Sequence, residues 1–354
     1  MAMRRLITVR DTVNAMMEEV KPSLTFNGKS TRDWMLWRRK FLKQLRSNLG
    51  RFPHPVALRA EVVERVDVGS YVREKVVYNT ERYASVPAYV LIPKGIKPGE
   101  KRPALLCAHG HGRGKVDVVG ITASKEEYDQ FIKPLNYDFA KQFAERGYVV
   151  IAPDWRGFGE RAPDKEWVRE GRDGCNVNYL ALGYFGYHLL TLQIWDGIRT
   201  IDYIQSRKEV DPKRIGCIGL SFGGTMAAYL SALDRRIKAS VVSCYISTIR
   251  WDALGDRGKV NTCGAQYSPG LLLYGDIADV AGLIAPKPLL VQMGENDTCF
   301  VIDDALRAYD HLKKIYTASG HPGMLEVDRF TGAHEFSGRK AFEWFDRWLW
   351  RKSH

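Results

Sequence analysis

No two of the six cysteines, Cys107, Cys175, Cys217, Cys244, Cys263 and Cys299, stand two residues apart, and their spacings match no zinc-binding pattern. Neither a metal site nor a disulfide framework is expected from such a set. Cys107, Cys217 and Cys244 lie in apolar runs and read as small core side chains. Nowhere does the chain approach the roughly 18 apolar residues of a membrane span. The N-terminal stretch MAMRRLITVRDTVNAMM is basic but has no apolar run of signal-peptide length. The expectation is a cytoplasmic protein without a membrane partner. Repeats and low-complexity tracts are missing as well.

What is present is an ordinary globular composition, 45% hydrophobic and 27% charged over 354 residues. Such a chain can bury a large core and is not expected to be disordered. Its formal net charge of +12 is unevenly placed: residues 1–60 hold 13 Lys/Arg against 4 Asp/Glu, a balance of +9, which leaves +3 for the other 294. A basic segment can attract polyanions, yet no nucleic-acid-binding motif accompanies it. A solvated helical face is expected, with no nucleic-acid partner. Within this segment Trp34, Trp37, Phe41, Leu45 and Leu49 recur at spacings of three and four, with Arg38, Arg39, Lys40, Lys43 and Arg46 between them and Gly50 at the end. That is an amphipathic helix, whose apolar stripe would pack on the main domain or serve a homo-oligomer contact. The chain divides accordingly into a basic helical extension, residues 1–58, and a main domain, residues 59–354.

Residues 61–66, 71–78 and 86–93 alternate β-branched and polar side chains and predict a three-stranded antiparallel meander. From residue 103 the rhythm changes. Apolar runs at 103–108, 148–152, 215–219, 236–243, 287–294 and 324–330 read as buried strands, separated by helical patterns at 136–146, 190–201, 222–230, 303–316 and 338–350. Residues 160–187 read as irregular, and residues 255–286 as a small insertion over the sheet's C-terminal edge. The alternation predicts an α/β fold with a mostly parallel central sheet, helices on both faces and functional loops at the strand C-terminal ends. Residues 109–114, 154–159, Ser221, 295–298 and 331–335 all fall at such ends.

The most informative stretch is Gly219-Leu220-Ser221-Phe222-Gly223, which matches the G-x-S-x-G nucleophile elbow between a strand and a helix. A serine hydroxyl needs a base, and imidazole suits it because its pKa lies near neutral pH. His334, in the loop after the last strand, is the candidate; His109 and His111 precede the serine and compete. The imidazole in turn needs a carboxylate to hold its tautomer. Asp297 follows the penultimate strand and fills that role, with Glu295, Asp303 and Asp304 as rivals, of which Asp303 or Asp304 better suits a cap on the next helix. The order serine, acid, histidine is that of α/β-hydrolase triads. Oxyanion donors are expected from the backbone N–H of Phe222 and of His111, with Gly112 as the fallback. No G-K-[ST] follows the glycine-dense loop at 109–114, so a phosphate cradle is not expected.

These residues resemble the α/β-hydrolase superfamily, and within it the bacterial acetyl xylan esterase-like and dienelactone hydrolase-like carboxylesterases. The resemblance runs over residues 60–350 through His109-Gly110-His111-Gly112, Asp154-Trp155-Arg156-Gly157-Phe158-Gly159, the elbow, Gly294-Glu295-Asn296-Asp297 and Gly332-Ala333-His334-Glu335-Phe336. It departs from dienelactone hydrolases, which use a cysteine at the position of Ser221, and polymeric xylan is not the expected substrate. The resemblance implies a cofactor-independent serine carboxylesterase for small acyl esters such as those of acetylated sugars, with Asp154 and Arg156 as structural or pocket-edge groups, although Arg156 could bind an acidic substrate. Two other readings stand beside it: a serine peptidase of the prolyl oligopeptidase kind, and a non-catalytic binding protein on a hydrolase fold.

Overall fold

Ahead of the sheet lie α1 (Val9–Glu19) and α2 (Thr31–Leu49), opened by reciprocal capping boxes, Thr8 with Asp11 and Ser30 with Asp33. The computed structural model describes residues 5–163, 166–250, 254 and 263–350. In α2 the spacing of apolar residues becomes a buried face of Trp37, Phe41, Leu45 and Leu49. Gly50, at φ 71°, ends the helix in a backbone conformation that favours glycine. The stripe packs on the main domain, in one apolar cluster with residues such as Ile277, Leu312 and Ile315; within the extension Trp37 stacks on Phe41 at 5.5 Å, meets Phe26 edge-on at 5.2 Å, and donates from Nε1 to the Leu24 carbonyl at 2.7 Å.

Strands β1 (Glu61–Asp67), β2 (Tyr71–Glu81) and β3 (Ala84–Pro93) form the antiparallel meander that their alternation predicts. The chain then alternates: β4 (Arg102–Ala108), α3 (Lys115–Val119), α4 (Lys125–Phe131), α5 (Phe139–Glu145), β5 (Val149–Pro153), α6 (Gly174–Gly183), α7 (Leu189–Ser206), β6 (Val210–Leu220) and α8 (Phe222–Leu233). After these come β7 (Ile237–Ser243), α9 (Ile277–Gly282), β8 (Leu289–Gly294), α10 (Ile302–Ala318), β9 (Leu325–Phe330) and α11 (Gly338–Phe345), extended by a π-helical turn, Asp346–Trp350.

The strands form one nine-stranded sheet in the order β1-β2-β3-β5-β4-β6-β7-β8-β9, antiparallel up to the β3/β5 pair and parallel from β5 to β9. Helices cover both faces, because the central strands are apolar on both sides and could not face water. One core layer gathers Phe41, Leu45, Leu190, Ile201, Met226 and Leu312; the opposite layer gathers Val118, Phe143, Trp344 and Phe345. The chain leaves β4 toward β5 on one side and returns to β6 on the other, so β4 and β6 flank a topological switch point. Parallel sheets open a crevice there, beyond the strand C-termini. Among the described residues no helix is long and apolar enough to cross a membrane.

Three local expectations are corrected. Residues 160–187, expected to be irregular, contain α6, whose N-cap Asp173 accepts from the Asn176 N–H at 2.8 Å; its apolar residues are too evenly spread to show a helical stripe. The helix expected over 136–146 begins only at Phe139, because Asn136 holds a left-handed φ of 47°. Asp303 and Asp304 do not cap α10: its N-cap is Val301, and both acids lie in the first turn, where they favour the helix dipole instead. Of the insertion expected over 255–286, residues 255–262 lie outside the described residues; α9 packs against α8 and α10 as part of the core.

Candidate active site

Strand β6 is buried along its apolar length and turns into α8 within one residue. Ser221 takes that corner at φ 62° and ψ −122°, a region where non-glycine residues are strained by about 1–3 kcal/mol. Two glycines make the corner possible. A Cβ on Gly219 would lie 2.1 Å from the Gly223 carbonyl oxygen, and one on Gly223 would lie 2.0 Å from that of Ala108. The turn is tied down by the Ser221 N–H donating to the Ser243 carbonyl on β7 at 3.0 Å and by the Thr225 N–H donating to the Ser221 carbonyl at 3.1 Å.

Loops from β8 and β9 bring the candidate acid, Asp297, and the candidate base, His334, together. The Asn296 N–H donates to the Gly332 carbonyl at 2.8 Å and the Glu295 N–H to the Phe330 carbonyl at 2.9 Å, clamping the two loops. His334 Nδ1 lies 2.9 Å from Asp297 Oδ2. The other carboxylate oxygen accepts from the Cys299 N–H at 2.7 Å and the Phe300 N–H at 3.0 Å. An acceptor-only carboxylate fixes the proton on Nδ1 and leaves Nε2 free to take one. Burial pushes the Asp297 carboxyl up, but the hydrogen bond and charge of His334 and the two N–H donors outweigh it and hold it below the ordinary range. The Phe300 ring stacks on the imidazole with centroids 5.8 Å apart.

Ser221 and His334 line one cavity of about 240 Å³, together with His111, Leu135, Tyr137, Leu220, Gln266, Cys299 and Phe300. No hydrogen bond joins Ser221 Oγ to His334 among the described residues. In apo hydrolases this contact is often long and tightens only with substrate bound. The Phe222 N–H is the first of α8 and has no acceptor within its helix. In the neighbouring loop Tyr137 Oη accepts from the Gly110 N–H at 2.5 Å, and the next residue, His111, lines the cavity. Burial pushes the Tyr137 phenol well above its usual range and keeps it a neutral partner.

The rival groups are occupied elsewhere. His109 is fully buried; its Nε2 accepts from the Trp155 N–H at 3.1 Å and its Nδ1 donates to the Gly110 carbonyl at 2.8 Å, and burial lowers its pKa. Glu295 pairs with Arg329 at 2.8 Å, at the rim. Asp154 is buried against Lys115, 2.6 Å from its Nζ. Arg156 is held by Asp196 at 2.8 and 2.9 Å and by Glu81 at 3.0 Å, so the expectation that it could bind an acidic substrate gives way to a structural role. Burial raises the Asp196 carboxyl, but Arg156 and Arg161 outweigh this and bring it down to about 2.

Sequence reasoning did not single out Tyr137, Gln266, Cys299 or Phe300, which lie in loops without a motif; only Phe300, two residues beyond the 295–298 loop, offered any hint. Residues 113–135 supply Leu135 to the cavity and residues 255–286 supply Gln266, whereas residues 160–187 supply none of the described lining. They supply Cys175 instead, which the fold sets beside Cys263 and the His111 ring. A hydrogen bond from Cys175, with His111 beside it, pushes the Cys263 thiol well below the ordinary range.

A model of the Abhydrolase family matches residues 2–351. YtaP of Bacillus subtilis (strain 168), named as a hydrolase, is 28% identical over 315 residues, 87% of this chain and 98% of its own length. Among solved structures, a Bacteroides fragilis NCTC 9343 protein (BF1801), named as an acetyl xylan esterase, superposes with a TM-score of 0.76 at 20% identity, covering 98% of this chain and 90% of its own. A glucuronoyl esterase from Solibacter usitatus does so at 0.66 and 15% identity, covering 93% and 98%. At these identities the superpositions speak to the fold.

Proposed function

The chain belongs to the Abhydrolase family, and we propose that it is a serine carboxylic-ester hydrolase acting on small acyl, acetyl-type esters. Ser221 Oγ attacks the ester carbonyl while His334 Nε2 takes its proton, and Asp297 holds Nδ1–H and stabilises the imidazolium. The Phe222 and His111 N–H groups receive the oxyanion. Collapse of the tetrahedral intermediate expels the alcohol, which takes the proton back from His334 and leaves the acyl group on Ser221. Water, deprotonated by the same imidazole, then releases the carboxylic acid and restores the serine.

One observation carries this reading: the carboxylate-held imidazole and the strained serine open onto the same cavity. Its volume, about 240 Å³, is below the roughly 300–1,000 Å³ of pockets for drug-sized ligands, and its Leu135, Leu220 and Phe300 walls suit a short acyl group. The names borne by the solved esterases of this fold support ester chemistry. No disulfide joins any of the six cysteines, which suits the cytoplasm.

Ser221→Ala should abolish turnover of p-nitrophenyl acetate and labelling by a fluorophosphonate while leaving the melting temperature near that of the wild type. Retained turnover overturns the assignment, and absence of labelling in the wild type would mark a non-catalytic protein. Faster cleavage of aminoacyl-proline amides than of esters would point to a peptidase.

A further inference from the structure

Beside the cavity, on the side chain of a residue of which the proposed mechanism uses only the backbone N–H, His111 Nε2 lies 3.2 Å from Cys263 Sγ and 3.9 Å from Cys175 Sγ. All three atoms fall within 4.8 Å of one another. We propose that His111, Cys175 and Cys263 form a binding site for a thiophilic cation of the zinc class. Bonds of about 2.3 Å to sulfur and 2.0–2.1 Å to nitrogen put neighbouring ligands of a tetrahedral ion roughly 3.5–3.8 Å apart, and the observed separations bracket that range. Two sulfurs and an imidazole are the donors that soft and borderline ions select.

The three come from segments far apart in sequence, and the structure holds them independently of their own contacts. Gly264 packs against α6 so closely that a Cβ would lie 2.5 Å from Tyr179 Cβ and 2.9 Å from the Cys175 carbonyl oxygen, and its N–H donates to Asn176 Oδ1 at 2.8 Å. Two residues on, Gln266 Nε2 donates to Thr225 Oγ1 on α8 at 2.9 Å. The His111 ring lies edge-on to Phe158 at 5.3 Å and tilted against Phe222 at 5.6 Å. Little rearrangement separates this arrangement from a coordinated one. Binding displaces the two thiol protons to solvent, and three protein ligands leave a fourth position for water, the count of catalytic rather than structural zinc sites. Metal binding here is independent of the esterase reading. The two are neighbours because His111 also lines the cavity of Ser221.

One other grouping of this kind exists among the described residues, Cys244 with Asp297 and His334, but there Nδ1–H is already committed to the carboxylate. The test separates the two. Reduced full-length protein is titrated with Co²⁺, followed by its thiolate-to-cobalt absorption and tetrahedral d–d bands, and back-titrated with Zn²⁺. One equivalent is expected, with binding weakened at least about tenfold, the lower bound known for loss of even an outer partner of a ligand, by Cys175→Ser and by Cys263→Ser. His334→Ala should leave the spectrum intact. No thiolate band at one equivalent, unchanged affinity in both cysteine variants, or loss of the band in His334→Ala would overturn the proposal. Cys263 is only half-buried, so its variant is readable even where Cys175→Ser fails to fold.

Discussion

Asp297 combines two properties that oppose each other, a position only 6% exposed and a carboxyl held below its ordinary pKa. Three donors reconcile them: the His334 ring and the N–H groups of Cys299 and Phe300. Asp297→Asn keeps the shape but presents a neutral amide, which can turn its own N–H toward the ring and reverse the tautomer. Ester turnover should fall by about 10³–10⁴-fold, read as kcat/KM on p-nitrophenyl acetate. The same shift sets a pH signature. A group whose folded pKa lies below its unfolded value of 3.8 adds stability that is present above 3.8 and lost as pH falls through the lower folded value. Relative to Asp297→Asn, the wild type should therefore gain in melting temperature as pH rises from the acid range to neutrality. The opposite trend would show that burial dominates over the donors.

At the scale of elements, the elbow depends on two backbones touching. Strand β6 is flanked by β4 and β7, and α8 starts so near β4 that Gly223 has room for no side chain, with the Ala108 and His109 carbonyl oxygens 2.0 and 2.9 Å from a built Cβ. The obstacle is backbone at the end of a central strand and has no rotamer to change. Gly223→Ala should cost at or beyond the upper end of the roughly 1–3 kcal/mol typical of overpacked cores, and it should displace Ser221 as well. Urea unfolding and the fraction of protein labelled by a fluorophosphonate read both effects; full stability and full labelling would mean that the helix can shift. The loops after β8 and β9 work differently. Their mutual backbone hydrogen bonds, rather than steric contact, fix the distance between acid and base.

Across the whole molecule, the N-terminal helix α2 is part of the core, whereas α1 buries no residue. Phe41 is 1% exposed, stacked on Trp37 and in the same apolar layer as α8 and α10. Phe41→Ala should destabilise the protein by about 3–5 kcal/mol, measured by urea unfolding, while turnover per labelled serine stays at the wild-type level because the site lies at the sheet's C-terminal edge. A large loss of turnover per labelled serine would instead tie α2 to the active site. Of the basic residues between the apolar ones, Arg39, Lys40, Lys43 and Arg46 are exposed, whereas Arg38 is partly buried and donates to the Leu283 carbonyl at 3.4 Å.

The sequence by itself determined the alternating α/β architecture, the elbow and the order Ser221, Asp297, His334, because each is written in local patterns: apolar runs of strand length, glycines two residues either side of a serine, polar loops directly after buried strands. It also singled out His111 and Phe222 from a glycine-dense loop and from adjacency to the serine. Only the tertiary structure decided which loop residues close the cavity, that Tyr137 engages the Gly110 N–H, that Arg156 is bound by Asp196 and Glu81, and that Cys175 and Cys263 meet at His111. Those contacts join positions from 27 to 152 residues apart. Spacing along a chain carries information only across a turn or a helix face, and what lies beyond is set by how the sheet twists its loops toward one crevice.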